Sequence, residues 1–233
     1  NNYLKLTFSF FTLIAITFSA NTISQEVEEV VVTATKKEES TQDIAVSITA
    51  ITADQLAADQ IYDLQDLAEI VPGFGVAKGI GSGSGFVMRG IGSYGVGAAV
   101  VSSIVTSING HSVNPSIMND MGFMDLERIE VLNGPQGTLF GRNSVAGVIN
   151  LITARPTGEF EGYVDYESGN YDKETVKGAV NMPISDTVRA RLAFMTNTRD
   201  GMVENTTNGN KMDDRNDQAV RLSLDWDIND VTE

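Results

Sequence analysis

The chain of 233 residues contains no cysteine, a single histidine, a single tryptophan and five prolines. Without cysteine, neither a disulfide framework nor a thiolate metal site can be built. His111 has no second histidine to complete a metal site, and beside a hairpin turn it reads as a surface or packing residue. No GxSxG nucleophile elbow occurs, so Ser, Asp and His do not add up to a catalytic constellation, and no cofactor is expected. Basic residues are also scarce. Sixteen Lys and Arg against 31 Asp and Glu leave a net charge of −15, and no basic cluster offers a nucleic-acid footprint. Mean hydropathy of −0.06 excludes a helical membrane bundle. It does not exclude a β-barrel, whose alternating strands average to neutral.

What is present begins with residues 6–18, LTFSFFTLIAITF, uncharged and preceded by Lys5. Too short to span a bilayer comfortably, the run reads as a signal-peptide core, with cleavage after Ser24 or Ser19. A buried core helix or strand is the alternative. Asn1 in place of Met, and Glu233 with no closing signal, read as truncation at both ends. Next comes EVEEVVVTATKKEES, where β-prone Val30 to Thr33 is flanked by charge. Such a run cannot build its own sheet, but it can add as a strand to another protein's edge. At about 0.5–1.5 kcal/mol net per main-chain hydrogen bond, the resulting contact would be reversible.

Apolar residues alternate from Ala45 to Ile51, predicting one half-buried strand. Thr52-Ala-Asp-Gln55 is a capping box opening a short helix. Asp63 is placed to cap a second helix carrying Leu64, Leu67, Ala68 and Val71, ended by Pro72-Gly73. Gly79 to Gly85 is a glycine-serine loop. Gly90-Ile-Gly92-Ser-Tyr-Gly95 satisfies GxGxxG formally, yet no Asp or Glu follows before Asp120, so the ribose-binding acid is missing. Ile104 to Val113 reads as a hairpin with Asn109-Gly110 as a type I′ turn. Ile129 to Leu132 then reads as a strand, Gln136 to Phe140 as a helical turn and Val145 to Thr153 as an apolar strand stopped before Pro156.

Beyond Pro156 long alternating segments appear: Val164 and Tyr166 against Asp165 and Glu167, then runs around 176–182, 188–194 and 220–226. Apolar residues on one face and charge on the other are the pattern of transmembrane barrel strands. A soluble β-sandwich would show the same alternation.

The segment from Glu127 to Pro156, in the order ERIEV, GPQGTL, FGRN and GVIN, resembles the closing half of the plug domain of TonB-dependent outer-membrane receptors. VSITAIT and DLQDLAEIVPGF extend the resemblance upstream, so that it covers about residues 28–156. It implies an α+β plug with a small mixed β-sheet, followed by the first antiparallel strands of a transmembrane β-barrel of about 22 strands. The implied organisation is a signal peptide at 1–24, TonB box and linker at 25–39, plug at 40–156 and the first four or so barrel strands at 157–233. The matching box is Glu29, Val30, Val31, Val32, Thr33 and Ala34.

The resemblance further implies a TonB-type periplasmic energy-transducing protein as partner, contact with outer-membrane lipid and a nutrient ligand, commonly a ferric siderophore. Plug arginines that pair with glutamates of the barrel wall correspond to Arg89 and Arg128. Glu127, Glu130 and Arg142 are the other charges assigned to that contact; solvated strand-end charge is the alternative for Glu130. Asn133 stands where the family often has Arg, and Asn109 where it often has Asp, which implies a weakened or relocated ionic contact. A ligand-sensing transducer of the same architecture and a soluble secreted β-rich binding protein are the competing readings.

Overall fold

A computed structural model describes residues 31–32, 39–40, 47–78, 84–92, 102–113 and 122–228. The expected signal peptide, most of the expected box, and parts of the two glycine-rich loops lie outside these residues. At the start, β1 (Val31–Val32) pairs antiparallel with β2 (Glu39–Ser40), and the Val32 side chain is fully buried.

Two sheets then organise the chain. The first has five strands in the order β3-β9-β10-β7-β8. These are β3 (Ile48–Thr52), β7 (Ile104–Ile108), β8 (His111–Val113), β9 (Leu126–Asn133) and β10 (Gly147–Thr153). β7 and β10 run parallel while the other neighbours run antiparallel, so the sheet is mixed. Asn109 and Gly110 both hold positive φ, 50° and 77°, as a type I′ turn requires.

One face of this sheet is apolar. Ile51, Ile129, Val131, Ile149 and Leu151 pack under two short helices, α1 (Ala53–Ala58) and α2 (Leu67–Ile70). Leu64 and Leu67 are wholly buried there, each contributing about 1.5–3 kcal/mol relative to exposure. A three-stranded sheet of β4 (Phe74–Lys78), β5 (Ser84–Met88) and β6 (Ile91–Gly92) adds Phe74, Phe86 and Met88 to the same core. Thr52 caps α1, its Oγ1 accepting from Gln55 N while Gln55 Oε1 accepts from Thr52 N. Asp63 Oδ1 accepts from Gln65 N and Asp66 N, so it caps a turn that runs into a helix shorter than the sequence suggests. The helical turn α3 (Gly137–Phe140) joins β9 to β10.

The opposite face is mixed. Val105, Leu132 and Val148 form a small apolar cluster at one end. Beside them a polar row crosses three strands. Asn150 Nδ2 donates to Glu130 Oε2 at 3.1 Å, and Ser107 Oγ donates to Asn150 Oδ1 at 2.7 Å.

The second sheet is an antiparallel meander of β11 (Gly162–Gly169), β12 (Lys173–Pro183), β13 (Val188–Arg199) and β16 (Arg215–Trp226). A two-residue ladder, β14 (Val203–Glu204) with β15 (Lys211–Met212), forms a small hairpin between β13 and β16. On β16 burial alternates without interruption. Val220, Leu222, Leu224 and Trp226 are 60–74% exposed, while Arg221, Ser223 and Asp225 turn towards the five-stranded sheet. No described helix is long and apolar enough to cross a membrane.

Candidate functional site at the contact between the sheets

The two sheets meet through charge, and the centre of the contact is Asp125. Backbone at Asp125 has φ 50°, and its carbonyl accepts from Ala154 N at 3.0 Å, fixing it where β9 begins and β10 ends. Its carboxylate is 2% exposed and collects donors from three strands of the second sheet. Arg191 on β13 reaches it bidentately, with Nε 2.9 Å from Oδ2. Arg221 on β16 donates Nη2 to the carboxylate and to Asp125 O, and Nη1 to Met124 O. Tyr163 on β11 donates its hydroxyl at 3.3 Å. Two guanidinium groups around one buried carboxylate give charge-assisted bonds of the stronger kind.

A second contact lies at the Tyr62 to Asp66 turn. Arg215 Nη2 stands 3.2 Å from Asp63 Oδ2. Lys173 and Lys177 place their ammonium groups over the Tyr62 ring, 4.8 and 5.7 Å from its centroid. Burial raises the Tyr62 phenol above its ordinary pKa, and Glu167 raises it further by charge and hydrogen bond. Burial also raises the Asp66 carboxyl, against the lowering effect of the Tyr62 backbone N–H it accepts. Phe123 N donates to Tyr62 O at 2.7 Å, tying this turn to the Asp125 segment. A cavity of about 200 Å³ lies among these groups. A larger one, about 750 Å³, separates the polar face of the five-stranded sheet from β16 and is crossed by Arg155–Asp225 at 3.4 Å.

Of the charges assigned to this contact from sequence, three come together elsewhere. Arg128 Nε donates to Glu130 Oε1 at 2.9 Å, and Arg128 also pairs with Glu127, all three on β9. Glu130 is fully buried within the sheet, not solvated strand-end charge. Arg89, with φ 50°, donates Nη2 to Ser47 Oγ at 3.2 Å. Arg142 is exposed in the turn after α3. The contacts at Asp125 and Asp63 thus have the opposite polarity to the expected one, acids on the first sheet's side and arginines on the second, while Arg155–Asp225 has the expected one. Asp63, Asp125, Tyr163 and Arg215 were not singled out from sequence as contact residues. Arg191 and Arg221 sit on the charged face that the alternation of residues 188–194 and 220–226 predicts, but their partners lie 66 and 96 residues away. No strand periodicity carries such pairings.

Asn133, at the family's frequent Arg position, is buried, and its Oδ1 has no partner among the described residues. Asn109 is fully used. It donates Nδ2 to Thr153 Oγ1 and accepts from Thr153 N, both at 3.0 Å.

A mixed sheet with two helices, seated by ion pairs on the charged face of an antiparallel meander whose other face is apolar, defines a plugged-barrel class of protein. Residues 40–148 match the TonB-dependent receptor plug domain family. The chain is 30% identical over 199 residues to an iron-regulated outer membrane virulence protein of Vibrio cholerae, covering 78% of this chain and 30% of that one. It is 26% identical to a ferric-pyoverdine 358 receptor of Pseudomonas putida, covering 72% and 20%. In fold it is similar to the ferric yersiniabactin uptake receptor of Yersinia pestis, with a TM-score of 0.69 at 21% identity, covering 77% and 28%. The ferripyoverdine receptor of Pseudomonas aeruginosa gives 0.71 at 20% identity, covering 86% and 26%. Residues 40–148 thus carry the plug domain of the TonB-dependent receptors, and the chain spans under a third of the length of these relatives.

Proposed function

We propose that the full-length protein is an energy-coupled importer of a ferric siderophore or a nutrient of similar size, and not an enzyme. The observation that carries this is the seating of the plug on the inward face of the wall strands through Asp125, Arg191 and Arg221, which supports a plug held in the path of a cargo. The relatives' names support the cargo class, since they include a ferric-pyoverdine receptor and a vitamin B12 transporter. Residues 1–24 act as signal peptide, 25–39 as TonB box and linker, 40–156 as plug and 157–233 as the first wall strands. Outward residues such as Leu222 and Trp226 meet outer-membrane lipid. Arg89, Arg128 and Arg142 face wall strands that follow those described.

In this reading cargo binds on the outer side and Glu29 to Ala34 becomes available to the TonB-type partner. Force then displaces part of the plug. Val31→Pro in the full-length receptor removes one main-chain donor and fixes φ. Uptake should be lost while ligand affinity is unchanged; undiminished uptake refutes the box assignment.

A further inference from the structure

We infer that the wall arginines seating the plug become an anion-attracting surface once the plug is displaced, so that the importer proposed above favours negatively charged cargo. The chain as a whole is acidic, with a net charge of −15. Its wall is not acidic on the inside. The inward positions of β13 and β16 carry five arginines, Arg189, Arg191, Arg199, Arg215 and Arg221, against the two acids Asp217 and Asp225. Outward positions of both strands carry no charge at all, from Val188 to Thr198 and from Asn216 to Trp226.

The five arginines divide by partner. Arg189 pairs with Asp227 and Arg199 with Asp213, both within the wall segment. Arg191, Arg215 and Arg221 instead take their carboxylates from the plug, at Asp125 and Asp63. Displacing the plug therefore takes two negative charges away from three guanidinium groups and one positive charge, Arg155, away from Asp225, so that three arginines and one acid are newly left facing the lumen. A passage lined by one sign of charge concentrates ions of the other. Carboxylate or catecholate groups on a cargo can take the positions that Asp63 and Asp125 vacate, because arginine binds such planar anions bidentately. Seating alone would be served by either polarity; only a role in passage makes the side that carries the arginines matter.

The test breaks the same pairs from opposite sides in the full-length receptor and measures reversal potentials in planar bilayers under a KCl gradient. Asp63→Asn with Asp125→Asn loosens the plug and leaves the arginines; the chloride-to-potassium permeability ratio should exceed one. Arg191→Gln, Arg215→Gln and Arg221→Gln together loosen it and leave the acids; the ratio should fall severalfold, to below one. If the triple variant does not insert, Arg221→Gln added to the Asp63→Asn, Asp125→Asn receptor should lower the ratio instead. Equal ratios from the two sides, or potassium preference with the arginines intact, overturn the inference. Absence of conductance in both variants overturns it as well, since these pairs then do not hold the plug. Neither conductance depends on the energising partner, so failure of box-dependent uptake is read separately.

Discussion

Asp125 is the residue on which the contact converges, and its removal should be felt by three strands at once. In Asp125→Asn, Arg191 and Arg221 stay where their strands hold them and lose their shared carboxylate. Breaking a buried pair in this way costs about 3–5 kcal/mol, because the stranded charge stays desolvated. The full-length receptor in detergent should melt at a lower temperature. A double-mutant cycle with Arg191→Ala should show strong coupling, since the two side chains share bonds. An unchanged melting temperature would remove Asp125 from the centre of the contact.

At Asp66 the expected effect has the opposite sign. Its folded pKa is raised by burial and by Asp63, so its stabilising contribution is present below the unfolded value and lost as pH rises through the folded one. At neutral pH the ionised form is therefore a liability. Asn at this position keeps an acceptor for Tyr62 N and Asp63 N. Asp66→Asn should hold or raise the melting temperature at pH 7, with the gain shrinking as pH falls below the Asp66 titration. These two aspartates look alike in sequence. Only the folded chain distinguishes the one that meets arginine from the one that meets other acids.

Among the elements, those with local chemistry were legible. The Thr52 and Gln55 capping box, the Asn109-Gly110 turn and the alternation on β16 all follow from a few neighbouring residues, and the structure contains each. The second helix was read too long because the apolar spacing of Leu64, Leu67 and Val71 continues through a capped turn that is not helix. β9 extends beyond the predicted Ile129 to Leu132, since charged Glu127, Arg128 and Glu130 interrupt the apolar pattern of a strand whose mixed face pairs with Asn150. The hairpin turn supplies a prediction. Asn109→Ala loses two hydrogen bonds to Thr153 and keeps an unfavourable positive φ, about 2–4 kcal/mol in total. Amide exchange of β7 should accelerate, while exchange in the wall strands stays as it is. Equal acceleration in both would show that the turn acts globally.

For the whole molecule, the meander fixes which ends of the wall strands lie together. The Ile184 to Thr187 turn falls at one end and the β14–β15 hairpin at the other. If the plug enters from the periplasmic side, a cysteine at Asn208 should react with an impermeant reagent outside whole cells, and one at Ser185 should not. No native cysteine competes for the label. The reverse pattern would mean that the wall is inverted. Strand order within the five-stranded sheet has a different consequence, one of time. Among the described residues, β3, at 48–52, pairs only with β9, at 126–133, and β7 pairs in parallel with β10, at 147–153. Such long-range closures are slow to form. As the chain is synthesised, the first strand of this sheet must wait for some eighty residues before its partner exists. The last strand of the sheet completes it only at Thr153, immediately before the wall begins. Every strand of the five-stranded sheet is therefore available before the first wall strand, β11 at residues 162–169, has emerged, so the plug can condense ahead of the wall instead of being threaded into a finished barrel.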